Sequence, residues 1–142
     1  MRFLKRLLGI LPLRYASAHC DVPCGIYDPK IAQIGAATVL RMVKLIGEMP
    51  KDNPTVNERN KFVRCVLTKE EHARICKKEI LILWTDYFKP EHLEKFPELH
   101  DLIWKTAKLC SQNKQNVDEN LAQQLVDSVN KISDIFDQSK SA

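Results

Sequence analysis

The sequence predicts an all-α fold, an antiparallel up-down four-helix bundle, on three observations. Only four glycines occur in 142 residues, and no strand-like alternation persists. Four long stretches carry apolar residues at three- and four-residue steps, the period of a helix with one buried face. The connections between them are short, and the first two are marked by proline, which suits antiparallel neighbours. The length fits one domain with a modest core, and no internal repeat or low-complexity tract interrupts it.

The first helix starts at Asp28-Pro29, with Asp as N-cap and Pro at the first helical position. It runs to about Met49, with Ile31, Ile34, Met42, Leu45 and Met49 as its apolar stripe, and Pro50 with Lys51-Asp52-Asn53 ends it. The second starts at Asn53-Pro54 and runs to about Phe88, burying Phe62, Val66, Ala73, Cys76, Ile80, Leu83, Trp84 and Tyr87. Lys89-Pro90 stops it, because a residue before proline is pushed out of the helical region. Glu91 to Phe96 forms a short helical turn in the connection. Pro97 opens the third helix, which runs through about Cys110 with Leu99, Leu102, Ile103 and Leu109 inward. A polar loop, Ser111 to Val117, leads to the fourth helix, about Asp118 to Phe136, with Leu121, Leu125, Val129, Ile132 and Phe136 on one face.

The formal charge of +4 belongs to the N-terminal segment, where Arg2, Lys5, Arg6 and Arg14 stand without an acid. The rest carries 18 basic and 18 acidic residues, so nucleic-acid binding has no electrostatic support. No run reaches the eighteen or so apolar residues that span a membrane, so no stable membrane association is expected. Five cysteines cannot form a complete set of intrachain disulfides. Cys65, Cys76 and Cys110 fall among helical residues and read as small buried hydrophobes, whereas Cys20 and Cys24 flank a proline in a non-helical segment.

Residues 1–18, MRFLKRLLGILPLRYASA, read as a leader removed on maturation: a basic start, a short apolar stretch and a small-residue ending. Pro12 and Arg14 break the apolar part, so a leader cut by a dedicated cytoplasmic protease fits as well as an export signal. An uncleaved amphipathic helix is the plainer alternative. The expected domain is then 19–142, with residues 19–27 as a metal-binding hook and a cytoplasmic location.

A cut after Ala18 makes His19 the N-terminus of the segment His19-Cys20-Asp21-Val22-Pro23-Cys24. That terminus offers its α-amine, the His19 imidazole, the Cys20 amide nitrogen and the thiolates of Cys20 and Cys24. Amine, amide and Cys20 sulfur form small fused chelate rings, and Pro23 turns Cys24 back toward them. Two nitrogens and two sulfurs in a plane point to Ni(II) or Cu(II), whereas Zn(II) prefers a tetrahedron. Thiolates and a deprotonated amide are strong donors that lower the potential of a nickel couple, which gives the segment a redox role. The alternative is a Cys20–Cys24 disulfide or a tail with no metal.

HCDVPCGIYDP, residues 19–29, and LWTDYFKPEHLEKFPELH, residues 83–100, resemble the nickel superoxide dismutases. The resemblance extends over essentially the whole body. It implies disproportionation of superoxide by Ni(II)/Ni(III) cycling, one nickel per subunit, a homohexamer, and a maturation protease that exposes His19. His19, Cys20 and Cys24 match the nickel ligands. Asp21 matches a residue that organises the hook, and the bond before Pro23 matches a cis peptide. Tyr27 and Tyr87 match tyrosines that close over the metal and limit access. Asp86 and Lys89 lie in the second block, where Lys89 either draws the anion inward or is an ordinary solvated lysine. Gly35 and His72 stand at the positions of a glutamate and an arginine that support the axial imidazole in the best-known members. His92 and His100 read as structural or interface residues. The competing readings are a non-enzymatic nickel or copper carrier, which needs no gating tyrosines, and a helical interaction protein.

Overall fold

The computed structural model describes residues 25–140. Its five α-helices are, in chain order, α1 (Lys30–Gly47), α2 (Val56–Ile82), α3 (Pro90–Lys95), α4 (Leu99–Gln115) and α5 (Glu119–Lys140). A single π-helical turn, Leu83–Tyr87, extends α2. The four long helices form a ring in which α1 packs on α2 and α5, and α4 on α2 and α5. Cross-links fix the antiparallel sense: Gln33 donates to Asn130 (3.1 Å), while Lys44 pairs with Glu119 further along the same two helices. The expected four-helix bundle is the architecture found, and the short α3 lies in the connection as expected.

Local signals account for the helix starts. The Asp28 carboxylate accepts the Lys30 N–H at 2.7 Å, one of the donors the first turn leaves unpaired. At α2 the cap is Thr55, one residue beyond the expected Pro54. Its hydroxyl accepts the Glu58 N–H (3.2 Å) and the Glu58 carboxylate accepts the Thr55 N–H (2.7 Å), a reciprocal capping box. Asp118 caps α5 by accepting the Leu121 N–H at 3.0 Å.

Packing corrects the expected inner face of α1. Ile31 and Ile34 are about half exposed, and the buried positions are Ala32, Gly35, Ala36, Val39 and Val43. The backbones come too close for isoleucine: a Cβ at Gly35 would lie 3.0 Å from the His72 carbonyl oxygen and 3.1 Å from the Cys76 Cβ. Ala32, Gly35 and Ala36 permit that approach, and Ile31 and Ile34 turn outward. On α2, Phe62 is 44% exposed, Val66 is half-buried, and the buried line is Cys65, Lys69, Ala73, Cys76 and Ile80. Cys65, Cys76 and Cys110 are buried free thiols, as expected. Contact with Cys110, together with burial, holds the Cys76 thiol protonated far above its ordinary range.

The polar loop expected over Ser111 to Val117 is mostly helix. α4 continues to Gln115, and α5 continues past Phe136 to Lys140. Lys69 holds the end of α4: it is a fully buried lysine whose ammonium donates to the carbonyls of Asn113, Lys114 (2.9 Å) and Asn116 (3.0 Å). Three N–H donors meet three carbonyls at the negative end of α4. Asn113 adds a bridge, donating to Leu109 and to Leu121 of the next helix.

Candidate metal centre

Tyr27 and Tyr87 come together where the N-terminal segment joins the bundle. Their ring centroids lie 5.5 Å apart at 55°. Gly25, two residues before Tyr27, has φ 68°, in the left-handed region that glycine enters without strain. Tyr87 ends the π-helical turn, in which Phe88 N–H bonds Leu83 C=O at 2.9 Å across five residues. Such a turn inserts one residue into a helix and rotates the residues beyond it, and here it swings Tyr87 onto the core.

The Tyr87 ring is held on several sides. Phe136 of α5 packs at 4.5 Å, Phe88 at 5.1 Å edge-on, and His92 stacks nearly parallel at 5.6 Å and 13°. The Lys89 N–H donates to His92 Nδ1 at 3.0 Å, which pins that imidazole. The Tyr87 hydroxyl lies 2.7 Å from the Ser139 hydroxyl. Lys89 and Asp86 are exposed beside this cluster. His100 packs against Trp84 at 5.5 Å, so both histidines of the second block serve packing, as expected.

Gly35 and His72 face each other across the α1–α2 contact, so these two positions are adjacent in space. The His72 Nδ1 is buried and has no hydrogen-bond partner among the described residues. His19, Cys20, Asp21, Pro23 and Cys24 lie outside the described residues. Among the described residues no group of three or more His, Cys, Asp or Glu stands together as a metal site. The larger surface grooves, such as one of about 730 Å³ along α4 and α5 near Trp104, share no residue with the tyrosine pair. Sequence reasoning missed Ser139, because a lone serine near the end of a helix carries no local signal of a partner 52 residues away.

Fold and site define a helical-bundle protein with an aromatic pair at the root of an N-terminal segment rich in metal donors. The model of the nickel-containing superoxide dismutase family matches residues 14–140, and the chain belongs to that family. Its activity is therefore superoxide dismutation, an oxidoreductase reaction, and its metal is nickel. The chain is 40% identical to the nickel superoxide dismutase of Streptomyces coelicolor over 98% of this chain and 99% of that one. It is 39% identical to the enzyme of Streptomyces seoulensis over the same shares. The native nickel superoxide dismutase crystal structure superposes with a TM-score of 0.77 at 38% identity, covering 87% of this chain and all of the other. A metal-free structure of a nickel superoxide dismutase superposes at 0.74 and 36% identity, over 83% of this chain and all of that one.

Proposed function

We propose that the nickel is held by the hook at residues 19–27 after removal of residues 1–18. The ligands are the His19 amine and imidazole, the Cys20 amide nitrogen and thiolate, and the Cys24 thiolate. The donor set suits the metal: thiolate and amide donors bring the nickel couple within reach of superoxide, which imidazole or water ligands alone do not. Nickel supplies the one-electron cycling between Ni(II) and Ni(III) by which two superoxide ions and two protons give dioxygen and hydrogen peroxide. The chain's own residues do the rest. Asp21 organises the hook, Tyr27 and Tyr87 restrict access to small species, and exposed Lys89 draws the anion inward.

The observation that carries this reading is the Tyr27–Tyr87 contact at the hook's root. The relatives add a count. Solved nickel superoxide dismutases include variants of a first-residue histidine, a third-residue aspartate and a ninth-residue tyrosine. Counting from His19 makes Asp21 third and Tyr27 ninth. The solved native chain spans 87% of this one while the curated relatives span 98%, in keeping with a leader that mature enzyme lacks. Two further structures differ in nickel ligation between an oxidised and a partly reduced state, which supports redox cycling at the metal.

The working assembly in this reading is a homohexamer with one nickel per subunit, matured by a protease in the cytoplasm. No helix among the described residues is long and apolar enough to cross a membrane. Intact-mass and metal analysis of active protein test the reading. A chain beginning at His19 with one nickel per subunit is expected, and active protein that retains Met1 overturns it, because the amine ligand would not exist. Cys20→Ser and Cys24→Ser are each expected to abolish dismutation, and full activity in either rejects thiolate ligation.

A further inference from the structure

The Tyr87 hydroxyl belongs to a hydrogen-bond chain with a direction. Its oxygen lies 2.7 Å from Ser139 Oγ, and Ser139 Oγ lies 2.6 Å from the Phe136 carbonyl oxygen. A serine hydroxyl has one proton and a carbonyl oxygen has none. The contact at 2.6 Å is attractive only if the serine proton lies in it. Ser139 therefore meets Tyr87 as an acceptor, and the phenol proton points at Ser139. Ser139 is 5% exposed on the last turn of α5, and the Tyr87 ring is clamped by Phe136 and His92, so neither group turns freely.

We propose that Ser139 is a positioning residue for superoxide dismutation, which accepts the hydrogen bond of the Tyr87 hydroxyl so that Tyr87 presents only acceptor lone pairs to solvent and substrate. This rests on the reading of Tyr87 as a gate and says what kind of gate it is. An anion with acceptor atoms alone, superoxide included, finds no proton to bind on Tyr87. A water finds an acceptor there and keeps its own second hydrogen for donation. The side chain then excludes anions from its own oxygen while holding water, and protons for the peroxide half-reaction come from groups other than this phenol.

The test uses nickel-loaded enzyme and three variants, Ser139→Ala, Ser139→Thr and Tyr87→Phe, with the double variant Tyr87→Phe/Ser139→Ala. The tyrosine Raman doublet, assigned to Tyr87 by subtracting the Tyr87→Phe spectrum, reports whether the phenol donates. Inhibition by azide, an acceptor-only anion, reports access to its proton. Wild type and Ser139→Thr are expected to show a donating phenol. Ser139→Ala is expected to lose that signature and to bind azide roughly threefold to tenfold more tightly, the worth of one hydrogen bond. The double variant is expected to match Tyr87→Phe alone, since Ser139 acts only through the phenol. A donating signature retained in Ser139→Ala overturns the proposal, and so do additive effects in the double variant. If Tyr87→Phe itself turns over superoxide and binds azide as wild type does, the gate reading fails as well. If Tyr87→Phe is impaired and both Ser139 variants are unchanged, the gate stands and the role of Ser139 fails.

Discussion

At Gly35 the close approach of α1 and α2 has energetic consequences. A Cβ there meets the His72 carbonyl oxygen at 3.0 Å and the Cys76 nitrogen at 3.3 Å, both backbone atoms that cannot step aside. Gly35→Ala is expected to cost about 1–3 kcal/mol, the usual range for overpacking, read as a lower urea midpoint. Gly35→Glu adds a long charged side chain to the same contact and is expected to prevent stable folding. Restoring the glutamate of the best-known members is therefore no simple probe of the axial imidazole. A wild-type midpoint in Gly35→Ala would show that the helices separate without penalty. The proposed hook is readable from sequence alone because its donors, His19, Cys20 and Cys24, lie within six residues and need no fold to bring them together. Ser139 is not, since its meaning lies in a partner 52 residues away, and neither is Lys69, whose carbonyl partners lie 44 to 47 residues on.

Among the elements, α2 begins with the most explicit signal. The Thr55 N–H and hydroxyl both bond the Glu58 carboxylate, and they hold its pKa below the ordinary glutamate value of 4.5. A carboxylate with a depressed folded pKa stabilises the fold above its unfolded pKa, and that contribution is lost as pH falls through the lower, folded value. Wild-type protein is therefore expected to lose part of its stability on the acid side of the ordinary glutamate range. Glu58→Gln should show a flatter decline there, and Thr55→Ala should lose about 1 kcal/mol at neutral pH. Melting temperatures across an acid series measure both, and parallel curves for wild type and Glu58→Gln would show that the box does not form in solution. Helix existence was legible throughout, but faces and ends were not. The first half of the inner face of α1 is built from Ala32, Gly35 and Ala36, which carry little apolar signal. Ser111 to Gln115 are residues that sit equally well on a loop or on the solvent side of a helix. A lysine from a neighbouring helix holds that end of α4, and periodicity cannot see it.

For the whole molecule, the proposed hook at residues 19–27 predicts that bundle and metal chemistry separate. The buried core is built mainly from α1, α2, α4 and α5, and the proposed metal donors precede all of them in the chain. Blocking the proposed cut with Ala18→Pro is expected to leave a folded helical protein, with wild-type circular dichroism, that has no dismutase activity. Full activity in uncleaved Ala18→Pro would mean that His19 need not be a terminus. Unfolding of that variant would tie the leader to the bundle. Assembly belongs to the same scale. Val56, Val63 and Leu67 of α2 are 80%, 53% and 64% exposed, surface that the proposed hexamer has available to cover.

The proposed gate gathers its parts from widely separated points along the chain: Tyr27 just before α1, Tyr87 at the end of the π-helical turn and Ser139 in the final turn of α5. A polypeptide still on the ribosome can form the hairpin of α1 and α2 but cannot anchor the Tyr87 hydroxyl until Ser139 emerges. Emergence of α5 is thus registered at Tyr87, 52 residues earlier in the chain. A purification tag or fusion partner joined directly after α5 presses on the same spot, and belongs on a spacer.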